Sequence, residues 1–296
     1  MGEGLRTVKV ADGRSLAVAQ WGDPDGTPIL SLHGTPGSRL LRPPDEDTIR
    51  RAKINLITYD RPGYGASDRV PGRRVVDCVA DVEAIVDALG VSRFAVTGRS
   101  GGGPHALAMA ARLPDRVAVA ECVVGAAPFD TADLDWTAGM DEENVTEFGW
   151  ARQGEQVLHQ HLVPVAAADL QRMTADPAKV FSADWQLADA DRQVLARDDV
   201  QRVLVEAVQE ALRPGVWGWV DDDLAFLRPW GFAVTEIRVP VTIRYGSQDV
   251  FVPAAHGAWL AGHVPGAEVV VDDGAGHLTN PETVLERLTI LAAGAR

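Results

Sequence analysis

The chain has 296 residues, enough for one large domain or two closely joined ones. Apolar residues make up 46% and charged residues 24%, so a sizeable core can form without a disulfide or metal staple. Twenty-eight Lys and Arg stand against 42 Asp and Glu, a net charge of −14, which argues against nucleic acid or an anionic membrane as partner because both are polyanions.

In chain order, residues 5–10 and 15–21 read as a hairpin around Asp12-Gly13. Residues 28–32, 54–59, 94–97 and 117–124 are predicted strands whose continuous Val, Ile and Leu runs suit a sheet covered on both faces. Between them, Val75, Val79, Val82, Ile85, Val86 and Leu89 recur at helical spacing, and Gly90 ends that helix. A second helix, 102–113, is alanine-rich and stops at Pro114. Strands alternating with helices imply crossovers and a mostly parallel sheet.

The rhythm breaks at Phe129 and returns after Thr235, with strands at 241–245 and 268–271 and helices at 253–261 and 281–293. Residues 129–235 show no convincing strand and read as short helices joined at Pro164, Pro177 and Pro214. A helical cap, 129–235, inserted into a core of 1–128 and 236–296 is the expected organisation. Cys78 and Cys122 form neither a CxxC pair nor a zinc-spaced cluster and are expected to be buried free thiols. The first residues lack the apolar stretch of a secretory signal. The expectation is a cytoplasmic protein, a monomer or homodimer, that acts on a small molecule without a cofactor or metal.

Gly98-Arg99-Ser100-Gly101-Gly102 directly follows a predicted strand and opens a helix. That is the context a nucleophile elbow needs, since the serine must sit on a strained turn at the top of a sheet. A serine hydroxyl is a weak nucleophile and requires a base and a group to orient that base. Asp249 and His277 follow the strands 241–245 and 268–271 on short loops, in the order Ser, Asp, His. Asp130, just after an earlier strand, is the second-choice acid. Acyl transfer also develops an oxyanion. The loop Leu32-His33-Gly34-Thr35-Pro36-Gly37 follows a strand as well, so the backbone N–H groups of Thr35 and Gly101 are the candidate donors. His33 is read as fixing this loop and not as moving protons.

Taken together, the loop at His33–Gly37, the stretch Asp60-Arg61-Pro62-Gly63-Tyr64-Gly65-Ala66-Ser67, the elbow, Asp249 and His277 resemble the α/β-hydrolase superfamily. The resemblance implies a mostly parallel eight-stranded sheet flanked by helices, with an inserted helical cap, and a mainly structural role for Asp60–Ser67. Ser100 stands where dehalogenases and epoxide hydrolases of similar fold carry aspartate, which disfavours both. Proline iminopeptidases usually have Gly where Thr35 stands and Trp where Gly101 stands. Carbon–carbon hydrolases carry a Trp soon after the histidine, and cofactor-free haloperoxidases a Met at the Gly101 position; this chain has neither. Ester hydrolysis is the expectation. The alternatives are an aminopeptidase or amidase, with Glu142 and Glu143 binding a substrate ammonium, and a non-catalytic ligand receptor on the same fold.

Of 18 aromatic residues, 11 fall within 129–235, which suggests a mostly apolar pocket. Phe129, Trp136, Trp217, Trp219, Phe251 and Leu278 are its expected walls. Trp217 and Trp219 alternate around Gly218 and share a face only if that stretch is extended. Glu121 and Arg244 interrupt two core strands and are candidates for a buried pair. The 129–235 segment holds 20 acidic and 8 basic residues, a net of −12, while the remainder carries −2. Solvated outer faces of cap helices are the expected place for that excess.

Overall fold

The computed structural model describes residues 5–177 and 186–296; Trp185 and part of the segment after Pro177 lie outside them. Eight strands form one sheet: β1 Arg6–Lys9, β2 Ser15–Gly22, β3 Thr27–Leu32, β4 Ile54–Tyr59, β5 Phe94–Arg99, β6 Val117–Val123, β7 Val241–Gly246 and β8 Glu268–Asp272. Their order is β1-β2-β4-β3-β5-β6-β7-β8. β2 pairs antiparallel with β1 and β4, and all other pairs are parallel.

Every residue of β4 is buried, as its unbroken INLITY run requires of a strand covered on both faces. One face packs on α2 (Cys78–Ala88), α3 (Gly102–Arg112) and α9 (Ala254–His263). The other packs on α1 (Glu46–Arg51) and α10 (Pro281–Gly294) through Ile49, Leu288 and Leu291. Chain order reverses where β3 lies beside β5. Parallel sheets bind their ligands at such a switch point, beyond the carboxyl ends of the strands. The loops that begin at His33 and Ser100 leave the sheet there.

α1 had no counterpart in the sequence reading: it is six residues long and buries only Ile49, too little for a helical stripe. Between β6 and β7 the described residues hold α4 Glu142–Ala151, α5 Glu155–Ala175, α6 Asp189–Leu195, α7 Asp198–Ala211 and α8 Trp217–Leu227, and no strand. Pro164 does not separate two helices; it lies inside the 21-residue α5. Leu158, Leu162 and Ala166 pack on both sides of it against Val216, Val220 and Leu224, and that burial outweighs the lost helical N–H bond.

The expected Glu121–Arg244 pair also needs correction. Glu121 is 3% exposed and takes a two-pronged contact from Arg287 of α10, at 2.8 and 2.6 Å. Arg244 turns to Asp272, at 2.6 and 2.8 Å, and comes no closer than 4.0 Å to Glu121. The sequence could show that two charges sit on neighbouring strands but not that a terminal helix supplies the nearer arginine. Cys78 and Cys122 are free and buried. Among the described residues no helix is long and apolar enough to cross a membrane.

Candidate active site

Ser100 directly follows β5 with φ +54°, a backbone conformation that costs a non-glycine residue energy. Close packing around it imposes the turn. A Cβ at Gly98 would lie 2.1 Å from the Gly102 carbonyl oxygen, and one at Gly102 would lie 2.2 Å from that of Leu32. The Ser100 N–H donates to Val123 O at 2.8 Å, which ties the elbow to β6.

His277 and Asp249 follow β8 and β7. The His277 Nδ1 donates to Asp249 Oδ2 at 2.7 Å, leaving Nε2 as the acceptor. The other Asp249 oxygen accepts the N–H groups of Phe251 and Val252 at 2.8 and 3.0 Å. Both oxygens are therefore fixed, and the carboxylate is buried. Asp130 is exposed, on the surface after β6. Arg99, inside the elbow, donates to the His277 carbonyl at 2.9 Å.

Asp191 was missed by the sequence reading. Fully buried on α6, it accepts the N–H groups of His277 and Leu278, each at 2.9 Å. A Cβ at Gly276 would lie 2.3 Å from its carboxylate. A helix between β6 and β7 thus holds the backbone that carries the histidine. One acid in a helix 86 residues upstream leaves no sequence signal of that role.

The loop after β3 lies against the elbow. A Cβ on Gly34 would be 3.3 Å from the Ser100 Cβ, and one on Gly101 would be 2.3 Å from the Thr35 hydroxyl. His33 accepts the Arg61 N–H at Nε2 (3.2 Å), so its Nδ1 carries the proton and donates to Gly34 O at 2.7 Å. Burial and the Arg61 charge hold its pKa well below the usual histidine range. It is a neutral strut.

Three consecutive acids in α8, Asp221, Asp222 and Asp223, are all buried, contrary to the expected solvated faces. Asp221 is held by Arg69 at 2.8 Å. Asp222 takes Arg61 (2.5 Å), Arg73 (2.6 Å), the Tyr64 hydroxyl (2.9 Å) and the Thr35 hydroxyl (2.6 Å). Asp223 faces the carboxyl group of Glu147 of α4, whose Oε1 accepts Trp219 Nε1 at 2.9 Å. The signal was present as three acids inside the apolar run from Trp217 to Phe226; their arginine partners lie about 150 residues earlier in the chain.

Ser100, His277, Gly34, Thr35 and Gly101 face one cavity of about 600 Å³. Trp136, Trp219 and Phe251 line it, together with Glu142, Glu143, Glu147 and Asp223. Phe129, Trp217 and Leu278 fall outside that wall. Phe129 stands behind Trp136, ring on edge at 5.5 Å. Trp217 and Trp219 lie on a helix, where residues two apart face opposite ways. Trp217 accordingly turns out to stack on His159 at 3.9 Å, under the Arg69 guanidinium. Leu278 lines a second, smaller cavity of about 130 Å³ beside Leu204 and Arg99. Among the described residues no group of three His, Cys, Asp or Glu is placed to hold a metal ion.

Comparison with known proteins agrees with this architecture. A proline iminopeptidase of Xanthomonas citri is 38% identical over 114 residues, covering 36% of this chain and 34% of that protein; the match spans about a third of that relative. A pimeloyl-(acyl-carrier protein) methyl ester esterase of Nitrosomonas europaea is 27% identical over 265 residues, 86% of this chain and 89% of that one. The solved structure of an α/β hydrolase fold protein from Nakamurella multipartita has a TM-score of 0.70 at 25% identity, covering 99% of this chain and 100% of that one. A family model described as the α/β hydrolase fold matches residues 27–283, and with that match over most of its length the chain belongs to the α/β-hydrolase family.

Proposed function

We propose that the protein hydrolyses carboxylic esters of small to medium, largely apolar substrates through Ser100, His277 and Asp249. The observation that carries this reading is the strained Ser100 facing the same cavity as His277, with the imidazole tautomer set by Asp249. His277 Nε2 takes the Ser100 proton as Oγ attacks the ester carbonyl, and later delivers it to the leaving alkoxide. Asp249 stabilises the imidazolium in between. The N–H groups of Thr35 and Gly101 hold the oxyanion, and water then releases the acyl group as a carboxylic acid. The segment 129–235 acts as a cap that excludes bulk water. The buried free thiols suit a reducing, cytoplasmic setting.

A second reading, cleavage of an amide next to a free amine, is favoured by the acids on the cavity wall: Glu142, Glu143, Glu147 and Asp223. A panel of p-nitrophenyl esters against aminoacyl anilides separates the two. A serine-directed phosphonate should label wild type stoichiometrically and leave Ser100→Ala unlabelled. Failure to label wild type, under conditions that label a control esterase, would point instead to a receptor on the same fold.

A further inference from the structure

One peptide group stands between the buried charges and the reacting centre. The Gly34 carbonyl and the Thr35 N–H belong to the same trans peptide, so the two point in opposite directions. The carbonyl end is held twice: by Arg61 Nη2 at 3.0 Å and by His33 Nδ1 at 2.7 Å. Arg61 Nη1 also donates to the preceding carbonyl, that of His33. With its oxygen pinned toward the guanidinium, this peptide must aim its N–H away from Arg61, and Gly34 packs directly on Ser100.

We propose that Arg61 is a positioning residue for the oxyanion hole, orienting and polarising the Gly34–Thr35 peptide, with Asp222 of the inserted helix α8 as the anchor that holds its guanidinium in place. The proposal rests on the serine-hydrolase reading above and assigns a functional task to the Asp60–Ser67 stretch, for which only a structural one was expected.

Three features give the device its effect. Arg61 is fully buried, so its charge acts on the peptide through low-dielectric protein, and hydrogen bonds to one end of a peptide strengthen those at the other. Asp222 does not cancel that charge alone, because Arg61 and Arg73 share its single carboxylate. Burial would push the Asp222 pKa up, yet the two guanidinia hold it well below the usual carboxylate range; the anchor stays ionised. Finally, the Thr35 hydroxyl donates to Asp222 at 2.6 Å and accepts from Arg61 at 3.2 Å. Both ends of the Thr35 residue are therefore referred to α8, and the inserted segment takes part in building the hole as well as in covering it.

The test compares p-nitrophenyl butyrate turnover with binding of two ketones of matching chain length. A trifluoromethyl ketone accepts Ser100 Oγ at its carbonyl carbon, passes the serine proton to His277 and leaves an oxyanion in the hole. The methyl ketone stays an uncharged ground-state ligand. Arg61→Lys keeps the positive charge that balances Asp222 but loses the fork that reaches the carbonyls. It should lower kcat by about 10- to 100-fold with KM within about threefold. Trifluoromethyl ketone affinity should fall in the same proportion, while methyl ketone affinity holds. His33→Asn removes the second bond to the Gly34 carbonyl without breaking an ion pair. It should shift the same two quantities together, and it serves where Arg61→Lys does not fold. Either folded variant keeping wild-type kcat and trifluoromethyl ketone affinity would overturn the inference. So would equal losses for both ketones, the mark of a merely deformed pocket. If wild type neither turns over the ester nor binds the trifluoromethyl ketone, the serine-hydrolase reading fails first and takes this one with it.

Discussion

The carboxyl groups of Glu147 and Asp223 face each other on the wall of the Ser100 cavity. Two carboxylates in contact, one buried and one half-buried, cannot both be charged at little cost, so the pair retains a proton. Burial, with nearby Asp169 and Glu143, raises Glu147 to about 7 against the lowering contacts of Trp219 and Asp223, and burial with the facing Glu147 holds Asp223 well above the usual carboxylate range.

Because these folded-state values exceed the unfolded ones, the folded state binds the extra proton. That contribution to stability is complete near pH 4 and is lost as pH rises through about 7. Glu147→Gln keeps an acceptor for Trp219 and cannot ionise. Relative to wild type, its melting temperature should gain several degrees between pH 5 and pH 8, on the order of 1–3 kcal/mol. Thermal unfolding of both proteins across that range checks this; parallel curves would mean that the pair does not titrate there.

Asp249 is buried and bonded to His277 Nδ1 at 2.7 Å, whereas Asp130 is exposed. Asp249→Asn should therefore cost on the order of 10⁴ in kcat for p-nitrophenyl butyrate, because an amide no longer enforces the tautomer that leaves Nε2 free. Asp130→Asn should stay within about twofold of wild type. The reverse pattern would exchange the two assignments.

Strands and the elbow were legible because their signals are local. The INLITY run is buried along its whole length, and at both Gly98 and Gly102 of the elbow a Cβ would strike backbone. What stayed hidden depends on partners far apart in the chain. Asp191 reads as one more acid on a short helix until the fold brings its carboxylate under His277. The run Asp221–Asp223 resembles a solvated face, yet Arg61, Arg69 and Arg73 from the core take up two of its three charges. Trp217 and Trp219 could be assigned to opposite faces only once α8 was known to be a helix.

Glu121 and Arg287 form a pair in which both side chains are more than nine-tenths buried, while Arg244 stands at the rim with Asp272. Removing one buried partner leaves an uncompensated charge, so Arg287→Met should lose about 3–5 kcal/mol in urea unfolding. Arg244→Met should lose about 1 kcal/mol or less. The double variant Glu121→Leu/Arg287→Met should recover most of the loss, since apolar replacement of a whole buried pair is often neutral. Similar losses in the single and double variants would show that the site depends on the charges themselves.

The acidity of 129–235 divides into two parts with different consequences. Asp221 and Asp222 are neutralised by core arginines and add little field. Glu142, Glu143, Asp169 and the Glu147–Asp223 pair, which retains one proton, instead line the cavity together with Arg99 and Arg172, so the wall keeps an excess of negative charge. A cavity of one sign concentrates ligands of the other, and salt screens the effect over about 10 Å at 0.1 M against about 30 Å at 0.01 M. Among esters of equal length, one with a terminal ammonium should show kcat/KM about tenfold above its carboxylate counterpart at low salt, with a neutral ester between them. Raising the salt should draw the three together. Initial rates at 10 and 300 mM NaCl measure this directly. A carboxylate ester hydrolysed as well as the ammonium one at low salt would mean that Arg99 and Arg172 govern the pocket and the acids only its rim.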